Sequence, residues 1–357
     1  MLIIKKLQSL GIKDKELDWF KSYLSNRQQL VEITFQKNNI LQKVKSKQLP
    51  VNRGVPQGSV LGPVLYILLT NDFPSYLENC CEMVMYADDT ALIVASKNKD
   101  QLDVDTYIAF NMAKQYCLHN DLVINASKTQ QLINTPTQNH HEGLPGVNTI
   151  VSGKYLGVII DQNLSWEPHV HKLCNKLNSS LYVVRRIKQI ASPQLAMTAY
   201  YSLFESHLRY GLIAWGGTTS TNLHKVLVIQ KRTIRTLKGL GPLETCRGAF
   251  KDLGILTVIG LYIQETILYV IKTGQTRTGD GHPYNTRHRR NFLIDHHHLS
   301  LTEKKPSYKG ALFFNTLPDS LRRLPEREFT PSLKTWLLQH PFYTIQEFLQ
   351  WRTGHHD

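Results

Sequence analysis

The sequence predicts an α+β chain: short strands with covering helices up to about residue 164, then helices almost to the end. Three observations lead there. Short apolar or alternating runs bounded by Gly, Pro and Asn fill the first part. From about 166 to 275 the apolar positions recur at helical spacing. A Gly/Pro/Arg-rich stretch, TRTGDGHPYNTRHRR at 276–290, then breaks the pattern before a last helical segment. The expected organisation is therefore 1–164, 165–275, a linker at 276–304 and a small helical appendage at 305–357.

Each element has a local cause. Residues 12–27 place Leu17, Phe20 and Leu24 on one helical face. Residues 28–35 and 40–49 read as strands around an Asn38–Asn39 turn. In RGVPQGSVLGPVLYILLTNDFP, residues 53–74, a Gly/Pro-punctuated loop leads into an apolar helix, with Ser59 as its expected cap. Gly62 and Pro63 fall in its first turn, where proline costs least. Residues 82–87 and 90–95 read as two strands joined at Asp88 and Asp89. Val104, Ile108, Met112 and Tyr116 recur every four residues, predicting a helix over 101–118 that covers a sheet. Further strands are expected over 121–134 and 149–160.

Forty-two Lys and Arg against 28 Asp and Glu give a net charge of +14. Residues 165–251 alone hold 13 basic and 3 acidic side chains, a local +10. A basic helical module of this kind suits a polyanionic partner, nucleic acid above all. No apolar run approaches the ~18 residues of a membrane span, and MLIIKKLQSLG has lysines where an export signal needs its apolar core. Five cysteines without a CxxC pair suit reduced thiols, so an intracellular protein, nuclear or cytoplasmic, without a membrane role is expected.

The chemistry-bearing stretch is EMVMYADDTALIVA, residues 82–95. Two carboxylates inside an apolar hairpin are costly unless they turn into a cleft and meet a cation. A hard divalent ion, Mg²⁺ with Mn²⁺ as the alternative, is the natural partner for such oxygen donors. The plain alternative is a solvated turn whose aspartates satisfy backbone N–H groups. Upstream, Gly54 and Gly58 allow close backbone approach to a flat ligand, and Gln57 offers a donor and an acceptor. His169, His171 and Cys174 (HVHKLC) have spacing that zinc could use, but no fourth ligand is near in sequence.

GIKDKELDWFKSYLSNRQQLVEI (11–33), GVPQGSVLGPVLYILLTNDFP (54–74), MYADDTALIV (85–94), LVINASKTQQLI (122–133) and KYLGVIIDQNLSWEPHV (154–170) together resemble the reverse transcriptases of non-LTR, LINE-type retrotransposons. LYVVRRIK, YYSLFESHLRYGLIAWG, YNTRHRR and FFNTLPDSLR extend the likeness downstream. The resemblance implies a partial polymerase palm, an antiparallel sheet with covering helices, followed by a helical, thumb-like region. It implies a primer 3′-hydroxyl attacking a dNTP on an RNA template with two metal ions. By motif match, Asp88 and Asp89 would be catalytic metal ligands, with Tyr86 and Ala87 beside the primer end. Gly54, Pro56, Gln57 and Gly58 would contact template and nucleotide. Lys128 would lie near the nucleotide phosphates, and Tyr155, Leu156 and Gly157 would form the primer grip.

The family's other catalytic aspartate, on a separate apolar strand, has no counterpart in this sequence. Asp14 and Asp18 sit on a helix, Asp72 follows one, and Asp103 and Asp105 flank a helix start. The expectation is an N-terminally truncated copy or incomplete gene model that does not polymerise alone, with an exposed sheet edge. The alternative is a non-catalytic nucleic-acid-binding remnant of such an element.

Overall fold

The computed structural model describes residues 2–51, 53–56, 58–135, 143–280, 289–294, 296–297 and 299–351. Two compact units result. One holds the described residues through Ile133 together with 143–150; the other holds Asn134, Thr135 and those from Val151 onward.

In the first unit, α1 (Leu2–Ser9) and α2 (Asp14–Leu24) bury Ile4, Leu7, Leu17 and Leu24 against Leu65 of α3 (Leu61–Thr70). The Ser59 Oγ accepts the Gly62 N–H at 3.0 Å and donates to the Pro56 carbonyl at 2.8 Å, so it starts α3 as the sequence suggests. A second small core joins Phe73 and Leu77 of α4 (Phe73–Leu77) to Ala113 and Tyr116 of α5 (Lys99–His119).

The strands do not form one sheet. Among the described residues there are five separate two-stranded pairs. In this unit β1 (Gln28–Gln29) pairs with β4 (Leu49–Pro50), and β2 (Glu32–Lys37) with β3 (Ile40–Lys45). The turn between β2 and β3 has Asn38 at φ +50° and Asn39 at +62°, the left-handed pair that a two-residue hairpin turn requires. β5 (Glu82–Tyr86) pairs with β6 (Asp89–Ile93), and β7 (Gln130–Leu132) lies parallel to β8 (Asn148–Ile150). The expected strand over 121–134 is cut short. Asp121 takes φ +56° and the Leu122 N–H closes onto the Cys117 carbonyl, a helix-ending motif that consumes the start of the segment.

The helix over 101–118 is present but only half covers a sheet. Met83, Met85 and Leu92 pack beside Met112, whereas Val104 is 52% and Ile108 43% exposed. Five-residue strands reach about 17 Å, while the 21 residues of α5 reach about 31 Å. The helix outruns the hairpin.

The second unit begins with a hairpin, β9 (Ser152–Tyr155) and β10 (Val158–Asp161), followed by helices. These are α6 (Glu167–Ile190), α7 (Pro193–Ala199), a π-helix at Tyr200–Glu205, α8 (Ser206–Arg209), α9 (Leu212–Trp215), α10 (Ser220–Lys238), α11 (Arg247–Leu253) and α12 (Val258–Lys272). The chain closes with α13 (Pro306–Thr316), α14 (Asp319–Arg322), α15 (Glu326–Gln339) and α16 (Ile345–Leu349). Gln230 on α10 is fully buried yet satisfied, donating to the Tyr200 hydroxyl and the Leu256 carbonyl and accepting the Val258 N–H.

The last four helices are not an appendage with a core of their own. Phe313, Phe314, Leu333 and Phe348 lie in the same apolar cluster as Tyr262, Trp215 and Leu177. Gly310 lets α13 approach α12 closely: a Cβ there would fall 2.3 Å from the Thr266 carbonyl oxygen. No single helix among the described residues is long and apolar enough to cross a membrane.

Candidate active site

Asp88 and Asp89 sit at the tip of the β5–β6 hairpin, both exposed. Tyr86 and Asp89 are the closing pair, so the turn proper is Ala87–Asp88. Ala87 takes φ +52°. A first turn position with positive φ normally takes glycine, because a Cβ there costs roughly 1 kcal/mol or more. The turn is therefore a strained one, held by the flanking ladder; it carries Asp88, while Asp89 opens β6, and both side chains are exposed. On the strands, Met83, Met85 and Leu92 face the small core, while Val84, Tyr86 and Ile93 are exposed. Tyr66 of α3 faces the site: burial raises its hydroxyl pKa, and the nearby Asp88 charge adds to the effect.

The other sequence-derived residues lie on separate features. Gly54 and Gly58 have φ of +73° and +79°, with open space where a Cβ would point. The Arg27 guanidinium donates to the Gly54 carbonyl, and Pro56 receives the Ser59 hydroxyl, so the loop is pinned from both sides. Gln57 lies outside the described residues. Lys128 is exposed at the end of a turn organised by Asn125, whose Oδ1 accepts the Ser127 hydroxyl at 2.7 Å and whose carbonyl accepts the Lys128 N–H at 3.1 Å. Among the described residues, no hydrogen bond or ion pair joins that loop or Lys128 to the two aspartates.

As donors, Asp88 and Asp89 fit one Mg²⁺, an ion that takes one or two carboxylates and completes its shell with water and phosphate oxygens. Among the described residues, no group of three or more His, Cys, Asp or Glu side chains converges to hold a metal. Asp18 pairs with Lys21, Asp105 accepts from Gln101, and Asp72 is held by Lys6 and Tyr116. The zinc spacing at HVHKLC also comes to nothing. The His169 Nδ1 accepts the Ile159 N–H at 3.3 Å, and burial, more than Lys176 and Lys172, pushes its pKa down.

In the second unit, Leu156 (φ +45°) and Gly157 (φ +86°) form the tight turn of the β9–β10 hairpin. Sequence reasoning did not single out Asp161 at the end of β10. Its carboxylate is buried and accepts the N–H groups of Trp166 (2.8 Å) and Ser165 (3.1 Å). Burial opposes the charge, but those donors outweigh it and hold the carboxyl below its usual range. An Asp followed by Asn, Ser and a helix start was the available signal. On α6 the exposed Lys172, Lys176, Arg185 and Arg186 have no acidic partner among the described contacts, whereas Arg209, Lys238 and Arg247 are ion-paired. The aromatics of 200–215 divide: Tyr200 and Trp215 are buried, and Tyr201 and Tyr210 are exposed.

Residues 2–160 match the family model for reverse transcriptase (RNA-dependent DNA polymerase), and this segment is a reverse transcriptase domain. The chain is similar to the RNA-directed DNA polymerase from mobile element jockey of Drosophila melanogaster, at 27% identity over 59% of this chain and 24% of the relative. It is also similar to the probable RNA-directed DNA polymerase from transposon X-element of the same species, at 26% identity over 67% of this chain and 26% of the relative. A third relative, the putative 115 kDa protein in type-1 retrotransposable element R1DM, is 23% identical over 68% of this chain and 23% of its own length. The expected kinship with non-LTR retrotransposon polymerases stands on these matches. The chain spans about a quarter of the length of the curated relatives it matches. No solved structure matches.

Proposed function

We propose that this chain carries part of an RNA-directed DNA polymerase of the non-LTR retrotransposon kind, working on an RNA template, a DNA primer and dNTPs. The carrying observation is the strained Ala87 turn, which presents Asp88 and Asp89 to solvent inside the segment that matches the reverse transcriptase family. Strain of this kind persists where a geometry is useful, since a glycine would relieve it. Asp88 and Asp89 would hold the divalent ion, which when bound neutralises phosphate charge and lowers the pKa of a coordinated hydroxyl. Tyr86 and Ala87 would border the primer end. Gly54, Pro56, Gln57 and Gly58 would receive template and nucleotide, and Lys128 would face the nucleotide phosphates. Tyr155, Leu156 and Gly157 would grip the primer, and the unpaired cations of α6 would follow the phosphate backbone of the bound nucleic acid.

The 357-residue polypeptide by itself does not complete the reaction in this reading. Asp88 and Asp89 would hold the ion, a full two-ion centre would draw on further carboxylate ligands, and among the described residues no group of three or more His, Cys, Asp or Glu side chains converges. Primer extension with Mg²⁺ and with Mn²⁺, compared with Asp88→Ala, tests this. The expected result is no incorporation above the variant, together with salt-dependent binding to a primer–template duplex. Asp88-dependent synthesis would overturn the incompleteness. Absence of any nucleic-acid binding would overturn the polymerase reading itself. Binding that Asp88→Ala leaves intact, without incorporation, also describes the second reading, a nucleic-acid-binding remnant.

A further inference from the structure

The β9–β10 hairpin is built into the helical unit by a set of contacts that converge on its turn. The Tyr210 hydroxyl donates to the Leu156 carbonyl. The Tyr210 ring lies against Gly157, where a Cβ would come 3.1 Å from its Cε1. Next door, Gly211 takes φ +63°, and a Cβ on it would meet Val158 Cγ2 at 3.0 Å. One residue along the strand, the Ile159 N–H donates to His169 on α6. Tyr210 is itself anchored, because its carbonyl accepts the indole N–H of the fully buried Trp215 at 3.0 Å. The glycines at 157 and 211 therefore serve twice, accepting a left-handed backbone and allowing the close approach of two turns.

A packing role alone would be satisfied by a buried aromatic. Tyr210 is instead 55% exposed, so the ring that braces Gly157 also faces solvent. Lys154, next to Tyr155, is exposed as well, and so is Gly157. A lysine on β9, the Tyr210 ring and the Gly157 backbone gathered around one short turn are what a sugar–phosphate strand needs: charge, a stacking surface and close access. A separate observation comes from the boundaries. The reverse transcriptase match runs to residue 160, yet the compact units divide at 150/151. The hairpin belongs to the polymerase segment by sequence and to the helical unit by packing.

We infer that Tyr210 is a positioning residue for the 155–157 turn, holding it from the helical unit so that the turn and Lys154 meet the backbone of a recessed primer strand. This rests on the nucleic-acid reading above. Tyr210→Phe removes the hydroxyl bond and keeps the ring against Gly157; Tyr210→Ala removes both.

The experiment has two arms on the full chain. In the first, amide hydrogen exchange is followed at residues 156–160, with α10 and α12 as the check that the helical unit stays folded. Tyr210→Phe is expected to speed exchange at 156–160 about fivefold, the loss of one net hydrogen bond, and Tyr210→Ala more. In the second, fluorescence anisotropy compares an RNA–DNA duplex carrying a recessed DNA 3′ end with a blunt duplex of equal length. Both variants are expected to reduce the preference for the recessed end, Ala more than Phe. Unchanged exchange at 156–160 in Tyr210→Phe overturns the docking. Faster exchange with an unchanged recessed-to-blunt ratio overturns the positioning role. If the unmodified protein binds neither duplex, the nucleic-acid reading falls and the positioning role with it, while the exchange arm still decides the docking. Should Tyr210→Ala loosen α10 and α12, the Phe variant alone carries both decisions.

Discussion

Replacing Asp72 with Asn should loosen the first unit locally by about 1–2 kcal/mol. The Lys6 ammonium on α1 donates to Asp72 Oδ1 at 2.6 Å, to the Leu69 carbonyl at 2.5 Å and to the Tyr116 hydroxyl at 3.1 Å. The Tyr116 hydroxyl in turn donates to Asp72 Oδ1 at 2.5 Å, and the Phe73 ring stacks on Tyr116 at 4.0 Å. One carboxylate thus ties α1 and α5 to the start of α4. Hydrogen bonds to a charged group contribute about 1.5–3 kcal/mol when sheltered, and exposed ion pairs about 0–1. Lys6 is 18% and Asp72 60% exposed in their side chains, so screening removes part of the larger figure. Lys6 also keeps its carbonyl partner in the variant, which caps the loss. At 1.4 kcal/mol per decade, amides of α1 and the second half of α5 should exchange about tenfold faster at pH 7. The pH dependence has a fixed sign. Burial opposes the Asp72 charge, but the Lys6 and Tyr116 contacts outweigh it and hold the carboxyl below its usual range. A lowered folded-state pKa means stability present above the unfolded value, about 3.9, and lost as pH falls through the folded one. The gap between the unmodified and variant proteins should therefore begin to narrow as pH falls past about 4 and close below the folded-state pKa. Equal exchange at neutral pH, or a gap that persists in acid, would refute the clamp.

Ala87→Gly should steady the β5–β6 turn by about 0.5–1 kcal/mol, because glycine accepts the positive φ without strain; faster exchange at Met85–Ala91 would contradict the strained turn. Gly310→Ala should cost about 3 kcal/mol, since its Cβ would overlap the Thr266 carbonyl and Val270 Cγ2 at 2.3 Å. Calorimetry should show the helical unit melting about 10 °C lower, and an unshifted transition would argue against the tight α12–α13 contact. Lys172→Gln and Lys176→Gln should each flatten the log K against log salt plot by about 0.7–0.9 if they meet phosphates. An unchanged slope would place the nucleic acid elsewhere on the helical unit.

Local chemistry was legible in the sequence wherever one residue decides its own surroundings. Asn38–Asn39 announced their turn because both can take positive φ, and Ser59 announced the start of α3 because a hydroxyl there reaches the Gly62 N–H. Asp88 and Asp89 stood out because two charges between apolar runs demand an exit. What stayed hidden depends on partners. The four-residue repeat of Val104, Ile108, Met112 and Tyr116 is real, but the width of the neighbouring hairpin decides how much of it is buried, and that width is no property of α5. The helices after residue 305 read as an appendage because a Gly/Pro/Arg-rich stretch precedes them. Nothing in periodicity shows that Phe313, Leu333 and Phe348 complete a core begun at Leu177 and Tyr262. The strain at Ala87 was equally invisible, since alanine is unremarkable in any pattern and only its φ singles it out.

The hairpin at 152–161 shows why a family match and a physical unit need not share an edge. Two strands of four residues each cannot bury enough apolar surface to stand alone in water. Their stability must come from what they lean on, and the contacts are explicit: Tyr210 and Gly211 at the turn, His169 along β10, and the Asp161 carboxylate gathering the N–H groups that lead into α6. Every one of those residues lies beyond the turn in sequence, and Asp161, His169, Tyr210 and Gly211 all lie beyond the end of the matched segment as well. A fragment ending at residue 160 would keep the family's residues and lose their support. Such a fragment should therefore show the 152–160 amides unprotected while α1 to α5 stay protected, a division that exchange on the fragment and the full chain would reveal directly. Protection of those amides in the fragment equal to that in the full chain would mean the hairpin is held by something other than the helical unit, and the role assigned to Tyr210 would go with it.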